Sequence, residues 1–265
     1  MPNLDLKDVS LQIPLIPADS FSLTKKLVSS RIGGTLNLDI NKNKVNSVKV
    51  LQNLNYQFSA GDRVGLMGAN GSGKSTLLRL LAGVYEPSSG IIVRKGKVCS
   101  ILNVNVGMNA DMTGRENLIS IAHHFGMKKR DINENLEQMI NFTELGSFIN
   151  LPVRSYSSGM TLRLGYAVTT FLNSEILLLD ENLGVGDLNF SQKASKNADK
   201  MLGNANILVM ASHDIDLMKR FCNKAILLDK GKIVYTGKVK PTFEHYRSLN
   251  NLTNRYSDDH YELYY

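Results

Sequence analysis

Gly68-Ala69-Asn70-Gly71-Ser72-Gly73-Lys74-Ser75-Thr76 is the stretch that decides the fold. The apolar run Val64-Gly65-Leu66-Met67 leads into it, and Leu77-Leu78-Arg79-Leu80-Leu81-Ala82, with the composition of a helix, leads out. A phosphate-binding loop works where a strand hands over to a helix through glycines, because glycine accepts the positive φ that turns successive backbone N–H groups toward an anion. The helix N-terminus adds partial positive charge. Gly68, Gly71 and Gly73 are placed for that turn, and Ala69, Asn70, Ser72 and Thr76 complete the cradle. Lys74 would reach the β- and γ-phosphates as a point charge, and the Ser75 hydroxyl would ligate a magnesium ion bridging them. The stretch predicts a nucleotide site.

Composition bounds what surrounds that site. The chain has 265 residues, 43% of them apolar, enough for a substantial core in one large domain or two small ones. No apolar run reaches the roughly 18 residues needed to cross a membrane. The start, Met1-Pro2-Asn3-Leu4-Asp5-Leu6, lacks the basic flank and apolar centre of a signal peptide, so a soluble, cytoplasmic chain is expected. Cys99 and Cys222 are far apart, with no His or Cys at ligand spacing; buried thiols are expected rather than disulfides or zinc. The net charge of +7 favours an acidic partner, either nucleic acid or an anionic membrane surface, although the basic residues are spread along the chain.

Outward from the loop, the first half reads mainly as β structure. Leu4 to Ile13 alternates as a half-buried strand until Pro14 and Pro17 interrupt it. The passage over about residues 14–47 is rich in Ser, Lys and Asn and has no sustained period. It reads as an exposed excursion between two strands, or, through Phe21, Leu23, Leu27 and Val28 beside Lys25, Lys26 and Arg31, as a short basic amphipathic element for a membrane surface or lipid headgroup. Strands are expected over Val48–Leu51, Leu54–Phe58, Ile91–Val93 and Lys97–Leu102. The middle is helical: Thr113 caps one helix, Asp131 to Phe142 forms a second, and Leu162 to Leu172 a third. Ser157-Ser158-Gly159 at that third helix start is either an ordinary N-cap or a second place for phosphate oxygens.

Ile176-Leu177-Leu178-Leu179-Asp180-Glu181 carries the strongest chemical signal after the loop. Four consecutive apolar residues describe a strand buried on both faces, and the carboxylates stand at its C-terminal edge, where open α/β sheets bind ligands. Asp180 would hold the magnesium and Glu181 would polarise the water attacking the γ-phosphate; a surface acidic pair is the alternative. A fourth buried strand, Ile207 to Ser212, ends at His213, either a core histidine or a hydrogen-bond donor to the γ-phosphate.

The order of phosphate loop, helical insertion, Tyr156-Ser157-Ser158-Gly159-Met160, Leu-Leu-Leu-Asp180-Glu181, Gly186-Asp187 and Ser212-His213-Asp214 resembles the nucleotide-binding subunit of an ABC transporter across residues 4 to 240. The resemblance implies an α/β P-loop NTPase fold with a RecA-like, mostly parallel core, an antiparallel β-layer and an inserted α-helical subdomain. It implies a nucleotide-binding domain over 1–246, a helical subdomain over about 110–172 and a polar tail over 247–265. In that family two copies sandwich ATP, so Tyr156 to Met160 would act as a signature in trans, Asp187 would cross the dimer interface and His213 would be the switch residue. The signature departs from the commonest Leu-Ser-Gly-Gly-Gln but keeps Ser157 and Gly159. The family's usual glutamine has no counterpart; Asn103 or Asn105 stands there with shorter reach. The adenine-stacking aromatic is replaced by Ile13, Pro14 and Leu15, unless Phe21 supplies a ring.

Those departures, with Met112-Thr113-Gly114-Arg115-Glu116-Asn117 and Asn182-Leu183-Gly184-Val185-Gly186-Asp187, are similar to exporters of lipid-linked polysaccharide such as O-antigen, capsule or teichoic acid. ATP and Mg2+ are then the expected cofactors, with Lys74, Glu181 and His213 catalytic. A homodimer bound to a separately encoded transmembrane permease at the cytoplasmic face of the inner membrane is the expected assembly, handling a lipid-linked polysaccharide and no nucleic acid. With only about twenty residues after Pro241, the carbohydrate-binding domain that some O-antigen members carry is not expected in this chain. ABC ATPases of translation or DNA repair carry two nucleotide domains or long coiled coils, whereas this chain has one phosphate loop and no heptad run. An importer fits the signature less well.

Overall fold

The computed structural model describes residues 1–14, 35–39, 44–102, 106–172, 174–180 and 205–258, with side chains described over 47–249 of these ranges and in 1–14. The chain forms two compact units, Met1–Gly96 with Ile207–Tyr265, and Lys97–Asn206.

The first unit holds an antiparallel sheet in the order β2 (Thr35–Asp39), β3 (Lys44–Ser59), β1 (Asn3–Pro14), β5 (Ser89–Lys95). In β1, Leu4 and Leu6 are buried at even positions, but Val9 and Leu11 are buried at odd ones. The parity changes because Asp8 adopts φ 50° at a bulge, where one extra residue rotates the remainder of the strand. Asn53 on β3 matches it with φ 47°. Asn55 ties the two together: its Oδ1 accepts from the Asp8 N–H at 2.9 Å, and its Nδ2 donates to Asp8 Oδ1 at 2.7 Å. Phe58, Leu51 and Leu54 complete the core face, each contributing about 1.5–3 kcal/mol by leaving water.

The unit's second sheet contains β4 (Arg63–Met67) between β8 (Ile207–Ala211) and β9 (Lys224–Asp229), parallel to both, with β10 (Lys232–Gly237) returning antiparallel from β9. All five residues of β8 are buried, as a strand covered on both faces requires. Helix α1 (Lys74–Leu81) leaves β4 through the glycine loop, α5 (Ile215–Phe221) follows β8, and α6 (Val239–Asp258) closes the chain.

The second unit pairs β6 (Val98–Ile101) in parallel with β7 (Ile176–Leu179) and carries α2 (Gly114–His124), α3 (Lys129–Thr143) and α4 (Ser158–Thr169). Thr113 starts α2 with a full capping box: its Oγ1 accepts from the Glu116 N–H, and the Glu116 carboxylate accepts from the Thr113 N–H.

The α/β class with a mostly parallel core, an antiparallel layer and a helical part is therefore observed. Two boundaries differ from expectation. The 14–47 passage is not wholly an excursion, since it contains β2 and the first residues of β3, where cross-strand pairing supplies hydrogen bonds that composition does not reveal. Residue 247 starts no tail: α6 runs through it to Asp258, anchored by Val239, Phe243, Tyr246 and Leu249 packing with Met67, Met218 and Leu227. The helices of the second unit, from Gly114 to Thr169, fall within the span 110–172. Cys99 is buried as expected, but Cys222 is only half-buried, at the end of α5.

Candidate functional site

The phosphate loop connects β4 to α1, and its glycines take the conformations that the anion cradle needs: φ is 144° at Gly68, 79° at Gly71 and 108° at Gly73. Two of these also have no room for a side chain. A Cβ on Gly68 would collide with the carbonyl of Leu228, and one on Gly73 would lie 2.9 Å from Leu51. Gly73 stands at the N-cap of α1 with no side-chain cap, and no acidic residue occupies the first turn. The positive end of the helix dipole at this start therefore meets no side-chain cap and no first-turn carboxylate.

Lys74 is only 7% exposed and folds back along the loop, its Nζ donating to the carbonyls of Gly68 at 2.7 Å and Ala69 at 3.2 Å. The ammonium is thereby held over the ring of backbone that would receive an anion. The Ser72 hydroxyl is buried, and its oxygen has no hydrogen-bond partner among the described residues, which leaves a donor for an added acceptor. These features fit a phosphate group.

His213 lies just beyond β8, exposed, with Nε2 3.2 Å from Asn70 Oδ1 of the loop. The structure thus brings His213, the residue expected to be the switch, to the phosphate loop within the first unit. Asp214 caps α5 by accepting from the N–H groups of Asp216 and Leu217, which fixes the turn that carries His213. A small cavity next to this turn is lined by Gly68, Ser212, His213, Met218, Phe243 and Tyr246. Helix α6 thus forms one wall of the pocket beside His213, a contribution without a sequence signal because its aromatic residues read as an ordinary apolar face.

The second unit places its site residues by themselves. Asp180 follows β7, is 2% exposed, and its N–H donates to the Ile101 carbonyl at 3.3 Å. Ser157 caps α4, its Oγ accepting from the Met160 N–H at 3.3 Å. Ser157, Ser158 and Gly159 are exposed, and Tyr156 and Met160 half-buried, beside an open cleft of about 280 Å³ that Ser157, Gly159, Met160, Phe148 and Arg163 help to line. Asn103, Asn105, Glu181, Asp187 and the 182–187 run lie outside the described residues, as do Leu15, Phe21, Lys25, Lys26 and Arg31. Ile13, expected near adenine, is exposed at the end of β1.

A family model described as ABC transporter matches residues 51–184, half of the chain. The chain belongs to the ABC transporter family. This ABC transporter chain is 40% identical to the O-antigen export system ATP-binding protein of Yersinia enterocolitica over 233 residues, covering 88% of this chain and 97% of that protein. It is 38% identical to the teichoic acids export ATP-binding protein of Staphylococcus haemolyticus over 210 residues, 79% of each chain. Among solved structures it is similar to a dimeric ATP-binding cassette in a post-hydrolysis state bound to ADP and Pi, with TM-score 0.62, 18% identity and coverage of 89% and 98%. That likeness concerns the fold. As a member of the family, the ABC transporter chain binds ATP and is an ATPase. No helix among its described residues is long and apolar enough to cross a membrane.

Proposed function

We propose that this chain is the ATP-hydrolysing subunit of an exporter of lipid-linked polysaccharide, of the O-antigen or teichoic acid kind. The observation that carries the substrate class is the 40% identity to the Yersinia enterocolitica O-antigen export protein along 97% of its length. On this reading the chain works as a homodimer on the cytoplasmic face of the inner membrane, attached to a separately encoded permease.

The signature supports the dimer. Gly159 sits in the first turn of α4. A Cβ there would meet only Ser157 Oγ, at 3.9 Å, so nothing described in this chain requires the glycine. A phosphate approaching from a second copy would require it. Each copy then contributes the phosphate loop to one nucleotide and Tyr156 to Met160 to the other, with Asp187 at the interface.

Lys74 and the loop N–H groups hold the phosphates and stabilise charge on the transferring group. Ser75 and Asp180 are the residues that would hold magnesium, which supplies neutralisation of phosphate charge when bound. Glu181 orients and polarises the attacking water, and His213 donates a hydrogen bond to the γ-phosphate. Asn103 or Asn105 takes the place of the family's glutamine. Closure of the dimer moves the permease, and hydrolysis with release reopens it.

A cell whose only copy of this gene carries Lys74→Ala tests the reading. Lipid-linked polymer should be absent from the surface and accumulate inside; normal surface polymer would refute the assignment.

A further inference from the structure

Asn117, on the first turns of α2, is completely buried. Its Oδ1 accepts from the Asn109 N–H at 2.7 Å, and its Nδ2 donates to the carbonyls of Asn109 at 2.9 Å, Met112 at 3.1 Å and Thr113 at 2.9 Å. Because a backbone N–H can only donate, the amide orientation is fixed by this network. One side chain thereby pins both ends of the 109–113 loop onto the start of α2. Asn109 adds an inner bond, its Oδ1 accepting from the Asp111 N–H at 2.9 Å.

The opposite edge of that loop is a template for the residues that precede the signature. The Arg154 N–H donates to the Ala110 carbonyl at 2.9 Å, the Val153 N–H to Met112 at 3.0 Å, and the Gly114 N–H to Leu151 at 3.3 Å. Thr113 and Pro152 form an antiparallel bridge, and Arg154 pairs with Asp111 at 2.8 Å. Tyr156, the first signature residue, continues the contact: its hydroxyl donates to the Phe148 carbonyl at 2.7 Å and lies where a Cβ on Gly114 would be. Ser157 then caps α4. From Leu151 to Ser157, therefore, the chain takes its path from a loop whose shape depends on Asn117.

We propose that Asn117 is a positioning residue for the signature segment, setting through the 109–113 loop and Tyr156 the placement of Ser157 to Met160 toward the nucleotide of the partner copy. The proposal rests on the reading that the signature acts in trans. It separates Asn117 from ordinary core residues: damage there falls on the signature and spares the phosphate loop, which lies in the other unit.

The test uses the full-length chain in a Glu181→Gln background, with ATP-driven dimerisation read by light scattering and binding of ADP to the monomer read by titration. Asn117→Ala should leave the ADP dissociation constant within about twofold while raising the ATP concentration needed for dimerisation about tenfold, since the Asn109 N–H and carbonyl lose their side-chain partner, the Met112 and Thr113 carbonyls keep only their backbone donors, and the loop relaxes. Tyr156→Phe, which keeps the ring and removes only the hydroxyl, should show the same split to a smaller degree, and it carries the test if Asn117→Ala does not fold. Dimerisation at the parent's ATP concentration, or loss of ADP binding in step with dimerisation, overturns the positioning role. A Glu181→Gln parent that stays monomeric in ATP overturns the reading in trans itself, and the proposal with it, and is recognised because it appears before any second substitution.

Discussion

The backbone N–H of Gly231 donates to the carbonyl of Ser72 at 3.0 Å, so the turn between β9 and β10 supports the phosphate loop from a distant part of the chain. The Gln52 N–H closes the arrangement by donating to the Gly231 carbonyl at 2.8 Å. Gly231 has φ 78°, and a Cβ there would collide with the carbonyl of Val50. Gly231→Ala combines a left-handed backbone with a steric clash against main chain, so it should destabilise the protein by about 3 kcal/mol and also weaken ATP binding. Urea unfolding together with an ATP titration checks both; unchanged stability would refute the contact.

Lys74→Met keeps most of the aliphatic stem and removes the ammonium that donates to Gly68 and Ala69. The fold should persist, because the methionine fills similar space, while ATP hydrolysis should fall by about 100-fold or more through lost stabilisation of phosphate charge. Phosphate release, compared with circular dichroism of the same sample, separates the two effects.

Acid sensitivity should pass partly through Glu116. The Thr113 N–H and hydroxyl, each 2.8 Å from its carboxylate, hold its pKa below the ordinary value of 4.5. A carboxyl lowered on folding contributes stability that is present above the unfolded pKa and lost as pH falls through the folded one. The melting-temperature gap between the native protein and Glu116→Gln should therefore be widest near neutral pH and close as pH falls through the lowered carboxylate range. A gap that widens on acidification would contradict this.

Both thiols should be slow toward disulfide reagents. Burial pushes the pKa of Cys99 up to about 11 and that of Cys222 up to about 12. The thiolate is the reactive form, so at neutral pH both should react far more slowly in the native state than in denaturant. Rapid native labelling of either cysteine, followed by a thiol-reactive chromophore, would overturn this.

Much of the site was legible because its signals are local. Gly68 to Thr76 announces a strand, a turn of positive φ and a helix within a few consecutive residues, and those dihedrals are observed. The Thr113 and Ser157 caps and the four apolar residues of β7 were legible for the same reason, since each needs only neighbours along the chain. The bulge at Asp8 and the extension of α6 past residue 247 were not legible, because each is stabilised by a segment distant in sequence, and β2 was not because its stability comes from cross-strand pairing with β3 and not from a period of its own.

Sequence alone determined that this chain carries a glycine-rich loop of the phosphate-binding pattern and the motif order of an ABC transporter ATPase, since a motif needs only residue type and spacing. Tertiary structure alone decided what holds those motifs in place. Gly231 meets Ser72, and Arg154 meets Ala110, across gaps in sequence that no periodicity encodes. Even Asn117, only a few residues from the loop it organises, could not be distinguished by pattern from an exposed helical asparagine. Its burial and its four hydrogen-bond partners exist only once α2 and the 109–113 loop have packed together.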